Sequence, residues 1–492
     1  MPSIESAHAD VQSAVAEAVQ WANAGEARTL WEYETRAWAL MLALGRALVV
    51  LFLARQMSRP RAVRYEYAGG RWELAESRTT TLATRFGRVN FTRRVGRRRT
   101  RGSSRRAKAD LPIDRDLGLC GGFSPRVVMG IARLCAQMSF ANARATWLDI
   151  YEWAPAPRAV MRMVDAAGGV ARQFIEELPA PEDDGEVLVL QVDAGGAPMV
   201  SHAEFERRRK PKRKGQRSRE DRREERAANP KPRRTKGKKS KNAKQAFTAV
   251  LYTLRRGADG QLDGPVNKRV ISTFESHEAL FIWLDREARK RGYGEKRTLF
   301  LADGSEHIWR LQQRFFPAAE ACLDWFHLAE YLWKAGRSFH REGSAALRGW
   351  VKQQKQRLRE AKIDAVLDEL RERLAAIPRT GPGNKGRRER LAQVLGYIEN
   401  HRTRMPYAKF IADGLDIGSG AVEGAIRNVV RVRLDGPGAR WGLKRAEHVL
   451  HLRCILVSRL WDRFSEHIEM RDALALAPEP EPAEPHTVRS AA

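Results

Sequence analysis

Cysteine is scarce in this chain. Its four cysteines, Cys120, Cys135, Cys322 and Cys454, lie far apart and form no CxxC pair. That spacing argues against a disulfide framework and against a zinc ribbon, and it suits a reducing cytosol. Acidic residues are in deficit: 60 Asp and Glu stand against 89 Lys and Arg, a formal charge of +29. A surplus of that size points to a polyanionic partner, most often nucleic acid, although ribosome-associated and membrane-surface proteins share it. The N-terminal stretch carries Glu5 and Asp10 and no basic n-region, so a secretory signal is not expected. Residues 37–54 are apolar except for Gly45 and Arg46. A central arginine is costly in lipid, so a buried or oligomer-forming helix is expected there, with no membrane partner.

At 492 residues the chain is too long for one core, and roughly two to four domains are expected. Residues 1–60 form a helical N-terminal region, one long helix over 7–56, with oligomerisation as its candidate role. Residues 61–110 are a small β-rich basic segment. Tyr65 and Tyr67, then Gly69-Gly70, then Trp72 and Leu74 alternate like a hairpin. Within it, residues 93–108 hold nine basic residues and no acidic ones, so Arg97, Arg98 and Arg99 are either a solvated loop or phosphate contacts. Residues 111–180 read as a helix-turn-helix. Ser124-Pro125 opens its first helix, a second covers 140–151, and a third begins at Arg158. In DNA readers of this kind the last helix enters the major groove, which makes Arg158 and Arg162 candidate contacts.

Residues 181–328 show the clearest order of elements. An apolar strand, Val187-Leu188-Val189-Leu190-Gln191-Val192, ends at Asp193. Strands follow at 246–254 and 266–274, then a helix at 277–291 and a strand at 298–302 that runs into Asp303. A short helix over 308–315 and a strand over 320–323 complete the set. Three strands, helix, strand, helix, strand is the order of a ribonuclease-H-like α/β core, in which the first and fourth strands are neighbours. Asp193 and Asp303 would then lie side by side. A basic insertion at 205–244 interrupts this core. Residues 207–244 carry 20 Lys and Arg against 4 Asp and Glu, too polar to bury a core. A nucleic-acid arm, with Lys210, Lys212, Arg213 and Lys214 among its contacts, is favoured over a localisation-like signal or a solubilising loop. Residues 329–415 form an all-helical insertion, residues 416–470 the final core helices, and residues 471–492 a Pro/Glu-rich disordered tail.

Each acidic residue has an ordinary explanation on its own. Asp193 and Asp303 suit turns at strand ends, and Glu423, after Gly418-Ser419-Gly420-Ala421-Val422, suits the first turn of a helix that Ser419 is placed to cap. The set carries more weight. Two strand-end aspartates and a later helical glutamate can converge on paired hard cations, which suit in-line phosphoryl transfer. Asp324 and His327, three residues apart after the last strand, form a second constellation, and His307 is a weaker candidate for contact with the scissile region.

These same residues carry a family resemblance. Val192-Asp193-Ala194-Gly195, Leu301-Ala302-Asp303-Gly304, Asp324-Trp325-Phe326-His327 and Gly418-Ser419-Gly420-Ala421-Val422-Glu423-Gly424 resemble the DDE transposases of bacterial insertion sequences. The group most similar is the ISKra group, allied to the Mutator-like elements. The stretch from Arg431 to Arg440 and Trp441 resembles the block after that group's glutamate, with Arg440 and Trp441 as candidate DNA contacts, and the likeness spans about residues 110–465. It implies Asp193, Asp303 and Glu423 as catalytic ligands of two Mg²⁺ ions per site, with Mn²⁺ able to substitute. It implies Asp324 and His327 as accessory groups, matching a Cys-or-Asp, two residues, then His motif. Arg427, one turn beyond Glu423, joins them on spacing. The implied partners are double-stranded DNA, as element terminal inverted repeats and target, and further copies of the chain in a dimer or larger assembly. The implied location is the bacterial cytoplasm, at the nucleoid. One departure stands out: glycine normally follows the first aspartate directly, and here Ala194 intervenes. Two alternatives stay open, a domesticated or inactive transposase that only binds DNA, and a general ribonuclease-H-like nuclease.

Overall fold

The computed structural model describes residues 3–98, 109–119, 121–201, 243–436 and 439–470, with six single positions between 203 and 228. Arg99, Lys210, Lys212, Arg213 and Lys214, the bulk of the basic insertion and the tail lie outside the described residues. The chain divides into two compact units, Met1–Phe174 with Leu460–Ala492, and Ile175–Arg459.

The first unit opens with two helices where the sequence pattern suggested one. Gly25, at φ 63°, ends α1 (Ile4–Ala24) in the left-handed conformation that stops a helix. Thr29 then caps α2 (Leu30–Ser58), its Oγ1 accepting from Glu32 N at 3.2 Å. By length and composition α2 is apolar enough to cross a membrane. It buries Leu40, Leu42, Gly45, Leu53 and Ala54, and Arg46 donates to Phe86 O at 2.9 Å. Trp31, Met41, Leu48 and Phe52 stay exposed. An antiparallel sheet of β1 (Arg64–Tyr67), β2 (Gly70–Thr84) and β3 (Gly87–Arg98) packs Leu82, Val89 and Phe91 against Leu53 and Ile113. Helices α3 (Pro112–Asp116), α4 (Pro125–Gln137), α5 (Phe140–Tyr151) and α6 (Pro157–Glu177) follow. Helix Trp461–Met470 belongs to this unit: Phe464 packs on Phe174 with ring centroids 5.0 Å apart.

The second unit is a mixed α/β structure. Its five strands, β4 (Val187–Pro198), β5 (Ala243–Arg256), β6 (Leu262–Thr273), β7 (Arg297–Ala302) and β8 (Glu320–Leu323), lie in the order β6-β5-β4-β7-β8. The first three run antiparallel to their neighbours, while β4–β7 and β7–β8 are parallel. Parallel neighbours need crossovers, and α7 (His277–Lys290) and α8 (Glu306–Phe315) supply them. The continuous apolar runs of β4 and β7 fit central strands covered on both faces. β4 runs five residues past Asp193, because β5 keeps pairing with it as far as Ala243 opposite Pro198. Asp193 is therefore mid-strand, and what ends at Val192 is the ladder with β7.

After β8 come α9 (Trp325–Gly336), α10 (Ala345–Arg359), α11 (Ile363–Ala376), α12 (Asn384–Asn400) and α13 (Tyr407–Ala412). The chain then returns through α14 (Gly420–Ile426), a π turn at Arg427–Arg431, α15 (Val432–Leu434) and α16 (Leu443–Val457). The helical repeat over 363–377 and 391–398 buries Val366, Leu367, Leu370, Leu391, Val394 and Ile398.

Candidate metal centre

Val192 of β4 pairs with Ala302 of β7. Asp193 and Asp303 each follow one member of that pair, so their carboxylates leave the sheet from adjacent strands. Each is held near its root: Asp193 Oδ1 accepts from Ala194 N at 2.7 Å, and Asp303 Oδ1 from Ser305 N at 2.9 Å.

Glu423 arrives on α14. Ser419 does not cap this helix with its side chain; its Oγ donates to Glu423 Oε1 at 3.2 Å. Gln191 serves the helix start instead, its Oε1 accepting from Val422 N at 3.0 Å while its Nε2 donates to Tyr252 Oη at 3.0 Å. Buried amides without partners are costly, so this bond ties β4 to the turn that carries Glu423. The sequence signal was present: Gln191 is the one polar residue in an otherwise apolar strand run.

Gln191, Asp193 and Gly195 alternate onto one face of β4. A methyl group at Gly195 would lie 2.7 Å from Ile426 Cγ2, so α14 approaches this face as closely as glycine permits. Ala194 points to the other face. The close approach of α14 thus falls on the glycine two residues after Asp193.

Asp324, at the start of α9, is fully enclosed and heavily bonded. Its Oδ2 accepts from His327 N at 2.8 Å and meets His327 Nδ1 at 2.6 Å, and its Oδ1 accepts from Ser419 N at 2.6 Å. Burial pushes this carboxyl up, but the bonds from His327 and Ser419 outweigh it and hold it below its ordinary value. The bond to Asp324 raises His327 against the opposing cost of burial, with the charges of Asp324, Asp193 and Asp303 adding to it, and its pKa reaches about 9. Asp193 is shifted up, by burial first and then by the negative charges of Asp303 and Glu423, with the Ala194 amide and His327 opposing. Asp193, Asp303, Glu423 and His327 thus share one electrostatic neighbourhood.

Among the described residues, Asp324, His327 and Glu423 bring ligand atoms within 4.8 Å of one another. That trio is not the expected Asp193, Asp303 and Glu423. Both oxygens of Asp324 are already engaged, and His327 turns Nδ1 onto it. Asp193, Asp303 and Glu423 offer carboxylate oxygens, the donors Mg²⁺ takes. Burial is the first cause of the raised proton affinity of Asp193, and the charges of Asp303 and Glu423 add to it, so a cation bound there would favour its ionised form.

Arg427 opens the π turn one helical turn beyond Glu423 and is exposed. Turns of this kind are frequent at functional sites. His307, on α8, sets its ring edge against His277 with centroids 5.1 Å apart. The proposed DNA contacts divide. Arg158, Arg162 and Arg98 are exposed. Arg97 pairs with Glu76 at 2.6 Å, and Arg440 with Glu204 at 2.8 Å. Trp441 is corrected: it is 7% exposed, donates Nε1 to Leu434 O at 2.9 Å and lies beneath the Arg433 guanidinium, so it packs the fold and leaves no ring face for DNA.

Compared with protein-family models and with curated proteins, the chain gives no match.

Proposed function

We propose that this protein is a DDE transposase that binds the terminal inverted repeats of its own insertion sequence and performs metal-dependent DNA cleavage and strand transfer. The observation that carries the reading is the β4–β7 pairing, which sets Asp193 beside Asp303, with Gln191 binding the Glu423 helix to the same strand. Three antiparallel strands followed by two parallel ones, in the order β6-β5-β4-β7-β8, support a ribonuclease-H-like core with α9–α13 as an all-helical insertion. Helices α4 to α6 then form a helix-turn-helix, with Arg158 and Arg162 on the helix that meets the major groove.

Asp193, Asp303 and Glu423 would hold two Mg²⁺ ions, or Mn²⁺ in their place. Bound there, such ions activate the attacking oxygen and stabilise the leaving one. The residues around them orient the DNA. Asp324 fixes the ring of His327 through Nδ1, which keeps a positively charged donor beside the acids. Arg427, exposed one turn beyond Glu423, would offer a second cation. The assembly would be a dimer or larger, joined at two element ends in the cytoplasm at the nucleoid.

The test compares wild type with Asp193→Asn on the element's own end DNA, with Mg²⁺ or Mn²⁺ supplied. Metal-dependent nicking that the variant loses while it still binds DNA is the expected result. Binding without cleavage by wild type on paired ends would replace this reading with a DNA-binding relic.

A further inference from the structure

The α9–α10 pair holds a groove that the proposed chemistry does not use. One cleft of about 770 Å³ is lined by Tyr331, Trp333, Lys334 and Arg348, with Glu330 and an Arg337–Glu342 ion pair at its edge. A second of about 390 Å³ shares Trp333 and Arg348 and adds Lys352, Lys355 and Arg359. Arg348, Lys352, Lys355 and Arg359 follow the helical period and form one stripe along α10. The adjoining face, about 100° round the helix, buries Leu347, Trp350, Val351 and Leu358, which fixes the rotation of the stripe. α10 contains no acidic residue.

Two chains of contacts lead from the groove toward the acid cluster. Arg359, at one end of the stripe, lies over the ring of Trp325, the residue after Asp324. On α9, His327, Tyr331 and Lys334 fall on one face, at spacings of four and three. Tyr331 stacks on Tyr397 with centroids 3.7 Å apart and planes at 6°. Tyr397 in turn crowds Gly304, beside Asp303, where a methyl group would come within 2.2 Å of its ring. From Arg348 to Arg359 the stripe spans about 16 Å at 1.5 Å per residue.

We infer that this groove binds an unpaired nucleic-acid strand, with Trp333 as the stacking surface and the α10 stripe on its phosphates. Evenly spaced cations beside an aromatic ring make a track that tolerates any sequence. A duplex presents its bases edge-on and gives Trp333 nothing to stack on. The strand would be the one freed beside the cleavage point. Only that last assignment rests on the proposed function.

The test is fluorescence anisotropy of the full chain in EDTA, with a short thymidine oligonucleotide and with a duplex of the same length. Trp333→Ala should weaken oligothymidine binding about 5- to 100-fold, the range that one stacked base supplies, and leave duplex binding unchanged. Trp333→Phe should restore most of the loss. Lys352→Glu with Lys355→Glu, one exposed and one half-buried, should flatten the salt dependence of oligothymidine binding by about 1.4 in log–log slope. Oligothymidine binding that neither variant alters would overturn the inference, as would equal losses on single strand and duplex. No cleavage enters these readings. A protein that loses oligothymidine binding in these variants but never nicks DNA would keep the groove and lose the transposase.

Discussion

Gln191 of β4 accepts a hydrogen bond from the Val422 amide at 3.0 Å, across 231 residues of sequence, one position before Glu423. A strand that carries one acidic residue thus fixes the helix that carries another. Gln191→Leu keeps most of the side-chain volume and leaves the Val422 amide without its partner. The expected cost is about 1–3 kcal/mol of stability, the penalty for a buried group left unpaired. Metal-dependent nicking should fall further than stability does, since Glu423 then loses its fixed position against Asp193. Thermal melting and a nicking assay on one preparation separate the two effects, and nicking at the wild-type rate would show that Gln191 serves packing alone.

Gly195 gives a steric version of the same argument. Its neighbours are Ile426 and Val430, on the segment that carries Glu423 and Arg427. Gly195→Val would push that segment off β4, while Ala194→Val adds bulk on the other face. The first should abolish nicking, at an overpacking cost of about 1–3 kcal/mol in stability. The second should lose much less activity. Equal losses in the two variants would mean that the close approach of α14 is not what the site requires.

The parts of this structure that could be read in the sequence are those written locally. The apolar runs ahead of Asp193 and Asp303 became central strands, and the short strand before Asp324 is found at Glu320–Leu323. Local signals failed where a distant partner decides. The apolar run stops at Asp193 and suggests a strand end there, yet β5 holds residues 194–198 in the sheet. Ser419 looked like a helix cap, but Gln191 supplies the bond and the Ser419 amide goes to Asp324. Trp441 is a candidate DNA contact in the block that carries the resemblance, yet its indole N–H is satisfied at Leu434 and its backbone bridges to Met199. Each correction depends on a contact that only the folded chain brings together.

The Asp324–His327 pair predicts how the metal-free protein responds to alkali. The folded pKa of His327, about 9, exceeds its ordinary value of 6.5. Its contribution to stability is therefore complete below pH 6.5 and is lost as pH rises through 9. The side chain is 35% exposed, so solvent screening reduces the effect to about 1–2 kcal/mol. In EDTA, the urea midpoint of wild type should drop between pH 6.5 and 9.5. In His327→Gln that drop should be smaller. Parallel curves for the two proteins would mean that the histidine carries no net charge in the folded state.

Asp184 and Arg291 make the opposite prediction at acid pH. Arg291 is enclosed, and its Nε and Nη2 bond both Asp184 oxygens at 2.9 and 2.6 Å. Burial alone would raise the carboxyl, but the bonds from Arg291 and Thr253 outweigh it and bring Asp184 to about 2. A depressed carboxyl stabilises the fold above its unfolded value, near 4, and that stability disappears as pH falls through 2. The linkage is worth about 2 kcal/mol. Asp184→Asn leaves the guanidinium buried opposite a neutral group, a loss of about 3–5 kcal/mol at pH 7 when one partner of a buried pair is removed. The gap between wild type and variant should be widest at neutral pH and should narrow below pH 4, as wild type loses its own carboxylate. Arg291 also bonds the backbone carbonyls of Leu251 and Asn267, on β5 and β6. Hydrogen exchange of amides in those two strands reads the gap within this unit alone. A gap that stays constant from pH 7 to pH 2.5 would mean that Asp184 is not the charge that holds Arg291.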